Sequence, residues 1–399
     1  MNLRKWGAIA FGVAVGLAGV APASAQSAVA IERSGRTLHV AACPHGNPHG
    51  TARCHAHVVT DTRGNPINGR ANPNATPAGY GPTTLRAAYG TSNYVGQGTP
   101  TIAIVDAYGY SNAERDLGVY RSQYGLPACT TANGCFSKVN QNGGTNVPRD
   151  DTGWAQESAL DLDMASAMCP NCKIVLVEAT NNSFANLAAA VAYAKTIPGV
   201  RAISNSYGGS DTVGTSYDAT YSANNIAITA STGDSGYGAQ FPAAAPGVIA
   251  VGGTSLAANG TETAWNGAGS GCGLSHPKPS WQAGVTDACA GRMEADISAV
   301  ADPNTGVAVY GPTSRRGSGW MVFGGTSASA PLIGAMFALR NGTINAGQSI
   351  YLHTSSLTDV TSGSNGSSCP VNYYCHAQAG YDGPTGLGTP EGLGAMSTN

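Results

Sequence analysis

Residues 173–209 read KIVLVEATNNSFANLAAAVAYAKTIPGVRAISNSYGG. KIVLVEA (173–179) is a short, unbroken apolar run, SFANLAAAVAYAKT (183–196) a helical pattern, and VRAISNSYGG (200–209) a second strand that leaves into a glycine loop. Strand, helix and strand in that order, with strands apolar on both faces, imply parallel strands covered on both sides. The same alternation extends outward. TIAIVDAYG (101–109) reads as a buried strand ending in a turn, SNAERDLGVYRSQYG (111–125) as a helix, and DTGWAQESALDLDMASAMCP (151–170) as a second helix. IAITASTGDSGYG (226–238) and VIAVGGTSL (248–256) are further short strands with glycine-rich exits. The fold class is therefore α/β, a parallel sheet with helices on both faces in one large domain, and function is expected at the carboxyl ends of the strands.

The chain opens MNLRKWGAIAFGVAVGLAGVAPASAQ. Arg4 and Lys5 precede an apolar stretch over 8–21, and Ala23-Ser24-Ala25 forms a small-residue cleavage site, so residues 1–25 read as a secretory signal peptide. The apolar run is short for a membrane span. The expected product is exported, to the medium or a periplasm, and free of the membrane once the signal is removed. With 42% apolar residues a sizeable core is available, while only 11% are charged and the net charge is −2. The absence of a basic patch argues against nucleic acid and anionic membranes as partners. A monomer is expected.

Ten cysteines fall into five close pairs, Cys43/Cys54, Cys129/Cys135, Cys169/Cys172, Cys272/Cys289 and Cys369/Cys375. Behind a signal peptide this predicts disulfides, with sequential pairing the simplest arrangement. CPNC (169–172) admits a redox dithiol, but a turn-closing staple explains it without a thioredoxin-like context. Residues 26–79 form a polar arm or pro-segment rich in Gly, Pro, Asn and His. It contains CPHGNPHGTARCHAH, with His45, His49, His55 and His57 around Cys43 and Cys54. Zinc binding is one reading of that cluster; a disulfide loop in an exposed pro-segment is the preferred one.

Three short stretches carry chemistry. FGGTSASAPLIGAM (323–336) sets Ser327 between a tight glycine turn and an apolar helix-compatible run, a suitable seat for a nucleophile. Glu157 and Asp161 are four apart, so they share one helix face, and two carboxyls that close disfavour double ionisation. STGDSGYG (231–238) puts Asp234 in a turn directly after a buried strand, where it is either a turn former or, when protonated, a donor to a developing oxyanion.

With these motifs in view, the chain from about Tyr80 to its end resembles the sedolisins, the serine-carboxyl peptidases that share the subtilisin fold. GTSASAP supplies the matching nucleophile, Ser327; the E-x-x-x-D pair matches in Glu157 and Asp161; STGDSG supplies the matching oxyanion aspartate, Asp234. SNSYGG (204–209), which would hold substrate by strand addition, and DISAVADPNTGVAVY (296–310) are also similar. The resemblance implies a subtilisin-like catalytic domain over 80–399 and a secreted endopeptidase acting on protein or peptide substrates at acidic pH. It gives Glu157 the role of base and has Asp161 orient it. It also implies one structural Ca²⁺ near the C-terminus, in DVTSGSNG and QAGYDGPTGLGTP. Carboxylates would come from Asp359 and Asp382, and backbone oxygens from Val360, Gln378 and Gly380.

The chain departs from that pattern in two respects. Only about 55 residues precede the matching region, where sedolisins usually carry a long folded propeptide. Asp106 stands where a subtilisin-type peptidase keeps its triad aspartate, as a relic or as a third carboxylate tuning Glu157. No histidine is near a matching position in sequence: His39, His45, His49, His55 and His57 lie in the arm, and His276, His353 and His376 come late. That weakens a subtilisin-type mechanism. An esterase would show a G-x-S-x-G elbow, which is lacking. The rival from another class is a secreted binding protein that keeps the fold without turnover.

Overall fold

The structure, a computed structural model, describes residues 30–43, 50–67, 77–95 and 98–398. The expected signal peptide and His45 and His49 of the arm lie outside the described residues. Among those described, no helix is long and apolar enough to cross a membrane.

An eight-stranded sheet forms the centre of the described residues. Thr101–Ala107 lies in its middle, flanked by Lys173–Ala179 and then Phe136–Asn140 on one side. On the other side come Val200–Asn205, Ala227–Ser231 and Ile249–Leu256, which also pairs with Ile297–Val300. All these pairings are parallel; Glu262–Ala264 adds an antiparallel edge. The alternation of side chains along a strand explains the uninterrupted apolar runs. Ile102 and Ile104 pack with the Thr152–Met168 and Thr326–Arg340 helices on one face. Ala103 and Val105 pack with the Phe184–Ala194 helix on the other. Helix starts are set locally. The Asp151 carboxylate accepts the Trp154 amide at 3.1 Å, and Ser183 Oγ accepts the Asn186 amide at 3.3 Å. After Thr101–Ala107 the chain builds first to one side of that strand and then to the other. The carboxyl end of Thr101–Ala107, where Asp106 sits, is thus the reversal point at which α/β sheets bind ligands.

All five disulfides form in the sequential pairing expected, closing Cys43–Cys54, Cys129–Cys135, Cys169–Cys172, Cys272–Cys289 and Cys369–Cys375.

The structure corrects two expectations. SNSYGG is not a plain loop: Tyr207–Ser210 is a short strand in a three-stranded sheet. Its partners are Gln240–Phe241 and, from the arm, Arg53–Cys54. Nor does the described part of the arm stand free of the domain. Every residue of its His57–Thr60 strand is buried. That strand pairs antiparallel with Thr37–Ala41 on one side and Gly317–Gly324 on the other, inside a five-stranded sheet. The physical reason is the unpaired edge of Gly317–Gly324, a ready template for another strand. Within His57–Thr60, VVT (58–60) supplies the β-branched residues a strand requires.

Candidate active site

Glu157, Asp161 and Asp106 meet at the carboxyl end of the sheet, and Ser327 faces them from the first turn of the Thr326–Arg340 helix. All four are fully buried. The left-handed φ of +99° at Gly325 aims the start of that helix. A Cβ there would stand 1.9 Å from the His55 carbonyl oxygen and 2.7 Å from Asp234 Oδ2, so only glycine fits.

Burial dominates the carboxyl cluster. It pushes Glu157 well above the usual carboxylate range, with the neighbouring charges of Asp161 and Asp106 adding to it. Burial does the same to Asp161, again helped by Asp106 and opposed by the Ser206 hydroxyl, which donates to Asp161 Oδ1 at 2.7 Å. Asp106 is pushed up to about 7 by burial, with Ser158 opposing and Glu178 adding. Neither oxygen of Asp106 or Glu157 has a hydrogen bond of ordinary geometry, although the Ser158 and Ser327 hydroxyls lie close enough to favour the respective anions. Three carboxyls cannot all ionise in one dry pocket, so the cluster must hold protons and titrate in steps that belong to the group as a whole. The Ser327 hydroxyl itself donates to the Ser206 carbonyl at 3.2 Å.

Asp234 lies at the other side of Ser327, its Oδ1 accepting both the amide and the hydroxyl of Thr326 at 2.8 Å. The sequence places no histidine here, and the structure corrects this: His57 Nε2 is 3.3 Å from Asp234 Oδ2. Burial pushes the Asp234 carboxyl up, but His57, His55 and the Thr326 amide outweigh it and hold it below its ordinary value. In this arrangement Asp234 accepts from Thr326, and its surroundings favour the anion. The sequence missed the contact because 177 residues separate the partners (234 − 57). No local pattern signals such a pairing; only the strand character of HVVT after the disulfide hinted that the segment would dock.

The arm lies across the cleft as a peptide would. Arg53 and Cys54 pair antiparallel with Gly208 and Tyr207. The His55 amide donates to the Ser206 carbonyl at 3.2 Å, and the His55 carbonyl oxygen receives the Ser327 amide at 3.4 Å. The His55 ring enters a buried pocket, its Nδ1 2.7 Å from Ser231 Oγ and its Nε2 3.1 Å from Gln240 Oε1. Gly208 leaves room for that ring: a Cβ there would approach His55 Cε1 to 2.7 Å. The His55 carbonyl thus sits against the first turn of the Thr326–Arg340 helix.

Near the C-terminus, Asp359 accepts the Gly380 amide at 2.8 Å, and buried Asp382 accepts the Gln378 amide at 3.0 Å and the Thr385 amide at 2.9 Å. Burial, opposed by these hydrogen bonds and reinforced by Asp359, pushes Asp382 up to about 7. Two carboxyls converge on turns that also offer backbone carbonyls, a hard-oxygen donor set that suits a cation of the calcium type.

Sheet order, helix placement and a serine at a helix start opposite helix-borne carboxyls define a subtilisin-like scaffold with acids where histidine is customary. The chain belongs to the subtilase family, whose model matches residues 140–367, and within that family it stands with the sedolisins. It is 32% identical over 368 residues to kumamolisin of Bacillus sp. (strain MN-32), covering 80% of this chain and 63% of that protein. It is 27% identical to sedolisin of Pseudomonas sp. (strain 101), covering 79% and 60%. The chain thus spans roughly three fifths of the length of these curated relatives. Among solved structures it is similar to Pseudomonas sedolisin, a serine-carboxyl proteinase complexed with pseudo-iodotyrostatin. The TM-score is 0.67 and the identity 25%, over 79% of this chain and 96% of that one. A lanthipeptide protease shares the fold at a TM-score of 0.53 and 14% identity, over 79% of this chain and 93% of that one.

Proposed function

We propose that the chain is an exported acid endopeptidase in which Ser327 attacks the peptide carbonyl, Glu157 takes its proton and Asp161 orients and polarises Glu157. One observation carries this reading: the arm already lies in the cleft as a substrate strand, with the His55 carbonyl at the Ser327 amide and the carboxyl cluster behind the serine. A peptide bound the same way would place its carbonyl oxygen between the Ser327 amide and Asp234. Asp234 would support the oxyanion once His57 has withdrawn, since its surroundings then favour the protonated, donating form. Glu157 serves as base when the cluster has lost its first proton. Asp106, the third member, keeps a proton in the group and so keeps Asp161 from repelling the Glu157 charge.

The arm, residues 26–79, is on this reading a short pro-segment. It blocks the cleft by filling it, and the His55–Ala56 bond is the one it offers to Ser327. One structural Ca²⁺ would be held by Asp359 and Asp382 with carbonyls of Val360, Gln378 and Gly380; bound there, it would tie the C-terminal turns together and take no part in the chemistry.

The test is hydrolysis of an unfolded protein substrate after removal of the arm. Ser327→Ala should abolish it, and Glu157→Gln should lower kcat/KM by about 10²–10⁴. Full activity in Glu157→Gln contradicts the carboxyl mechanism. A parent chain that binds unfolded protein without cleaving it favours the non-catalytic binding protein instead.

A further inference from the structure

The arm carries a cluster that the peptidase chemistry does not use. Glu32 and His39 stand opposite one another on the first two strands of the arm, and Ala41, two residues on from His39, stands opposite His57 on the His57–Thr60 strand. Their ligating atoms all lie within 4.8 Å of one another. His39 Nδ1 is 2.9 Å from His57 Nδ1, and Glu32 Oε2 is 3.9 Å from the former and 3.7 Å from the latter. The two imidazoles meet edge-on at 80°, and their side chains are 5% and 3% exposed against 34% for Glu32, so the cluster opens to solvent only at the carboxylate.

We propose that Glu32, His39 and His57 form a binding site for one first-row divalent transition ion, with zinc the representative. Three donors around tetrahedral zinc at about 2.0–2.1 Å lie about 3.3 Å from one another. The edges of 2.9, 3.7 and 3.9 Å bracket that value. The independent observation is behind His57. Its far nitrogen, Nε2, lies 3.3 Å from Asp234 Oδ2, which leaves Nδ1 as the nitrogen turned to the cluster. A carboxylate orienting the far nitrogen of a ligating histidine is the usual outer support of zinc sites. Two imidazoles and one carboxylate select zinc-like ions over calcium or magnesium, which prefer all-oxygen sets. Because His57 is both a ligand and the residue against Asp234, a bound ion ties the hairpin Glu32–Ala41 to the cleft and strengthens the hold of the arm. This concerns binding by the arm and stands whether or not the chain proves to be a peptidase.

The experiment is equilibrium dialysis and calorimetric titration of the full chain, carrying Ser327→Ala to prevent self-cleavage, against Zn²⁺ alone. One ion per chain is expected, with affinity falling at least about 100-fold in His39→Gln and in Glu32→Gln, about 10–100-fold in Asp234→Asn, and unchanged in His376→Ala. No bound zinc, or equal affinity in His39→Gln, overturns the proposal and leaves the two rings sharing only a hydrogen bond. Zinc lost on replacing His45 or His49 but kept in His39→Gln overturns it too. Should His39→Gln fail to fold, Co²⁺ loaded into the Ser327→Ala chain decides: the intense visible band of a tetrahedral centre supports the site, and a weak octahedral spectrum contradicts it.

Discussion

Asp106 shows how far a single side chain can shape this molecule. It is fully buried, has no hydrogen bond of ordinary geometry on either oxygen, and is pushed up to about 7. A carboxyl that binds its proton more tightly folded than unfolded stabilises the fold in acid and progressively loses that contribution as pH rises from about 4 through about 7. Asp106→Asn keeps the shape and removes the ionisation. It is expected to raise the unfolding free energy at pH 8 by a few kcal/mol and to leave it nearly unchanged at pH 4, read from urea melts at the two pH values. Equal effects at both would mean the carboxyl is ionised throughout. Glu157 and Asp161 move in the same direction for the same cause, so the pocket as a whole favours the acid range.

At the scale of elements, the arm and the Thr326–Arg340 helix depend on each other's geometry. Gly325 lets the His55 carbonyl approach the helix start, and the Arg53–Cys54 strand is anchored where the Cys43–Cys54 disulfide closes its loop. A closed loop of this size restricts the undocked arm by about 2–3 kcal/mol in the chain-entropy picture. In a Ser327→Ala background, Cys43→Ser with Cys54→Ser should therefore leave the arm undocked more often. Cleavage by trypsin at Arg53 should speed up by tenfold or more, while the catalytic domain stays intact. Unchanged cleavage would mean that strand pairing alone holds the arm. The parallel strands and their helices were legible because apolar runs and helical periods are local. The arm's docking was not legible, since it rests on pairing between His57–Thr60 and Gly317–Gly324, far apart in the chain. The buried face of a four-residue strand leaves almost no pattern in such a polar stretch. The carboxyl pair at 157 and 161 could be read from helix geometry; the approach of Asp106 from another element rested only on resemblance.

Across the whole molecule, the C-terminal turns are the part whose order would depend on a bound ion. If Asp359 and Asp382 hold calcium, chelation should lower Tm by several degrees, added calcium should restore it, and Asp382→Asn should abolish the dependence. A Tm indifferent to chelator would remove calcium from the account. The central claim is that a carboxyl pocket, and no histidine, activates Ser327. The histidines near the serine among the described residues belong to the arm and would depart with it on this reading, leaving acids as the ionisable neighbours. The most direct measurement is the pH–rate profile on an unfolded protein substrate after arm removal, with Ser327→Ala as the blank. Activity in the acid range, following the titration of the carboxyl cluster, and absent in the blank, is the expected result. An alkaline optimum would contradict it, because the carboxyls of the cluster, even raised by burial, do not titrate there.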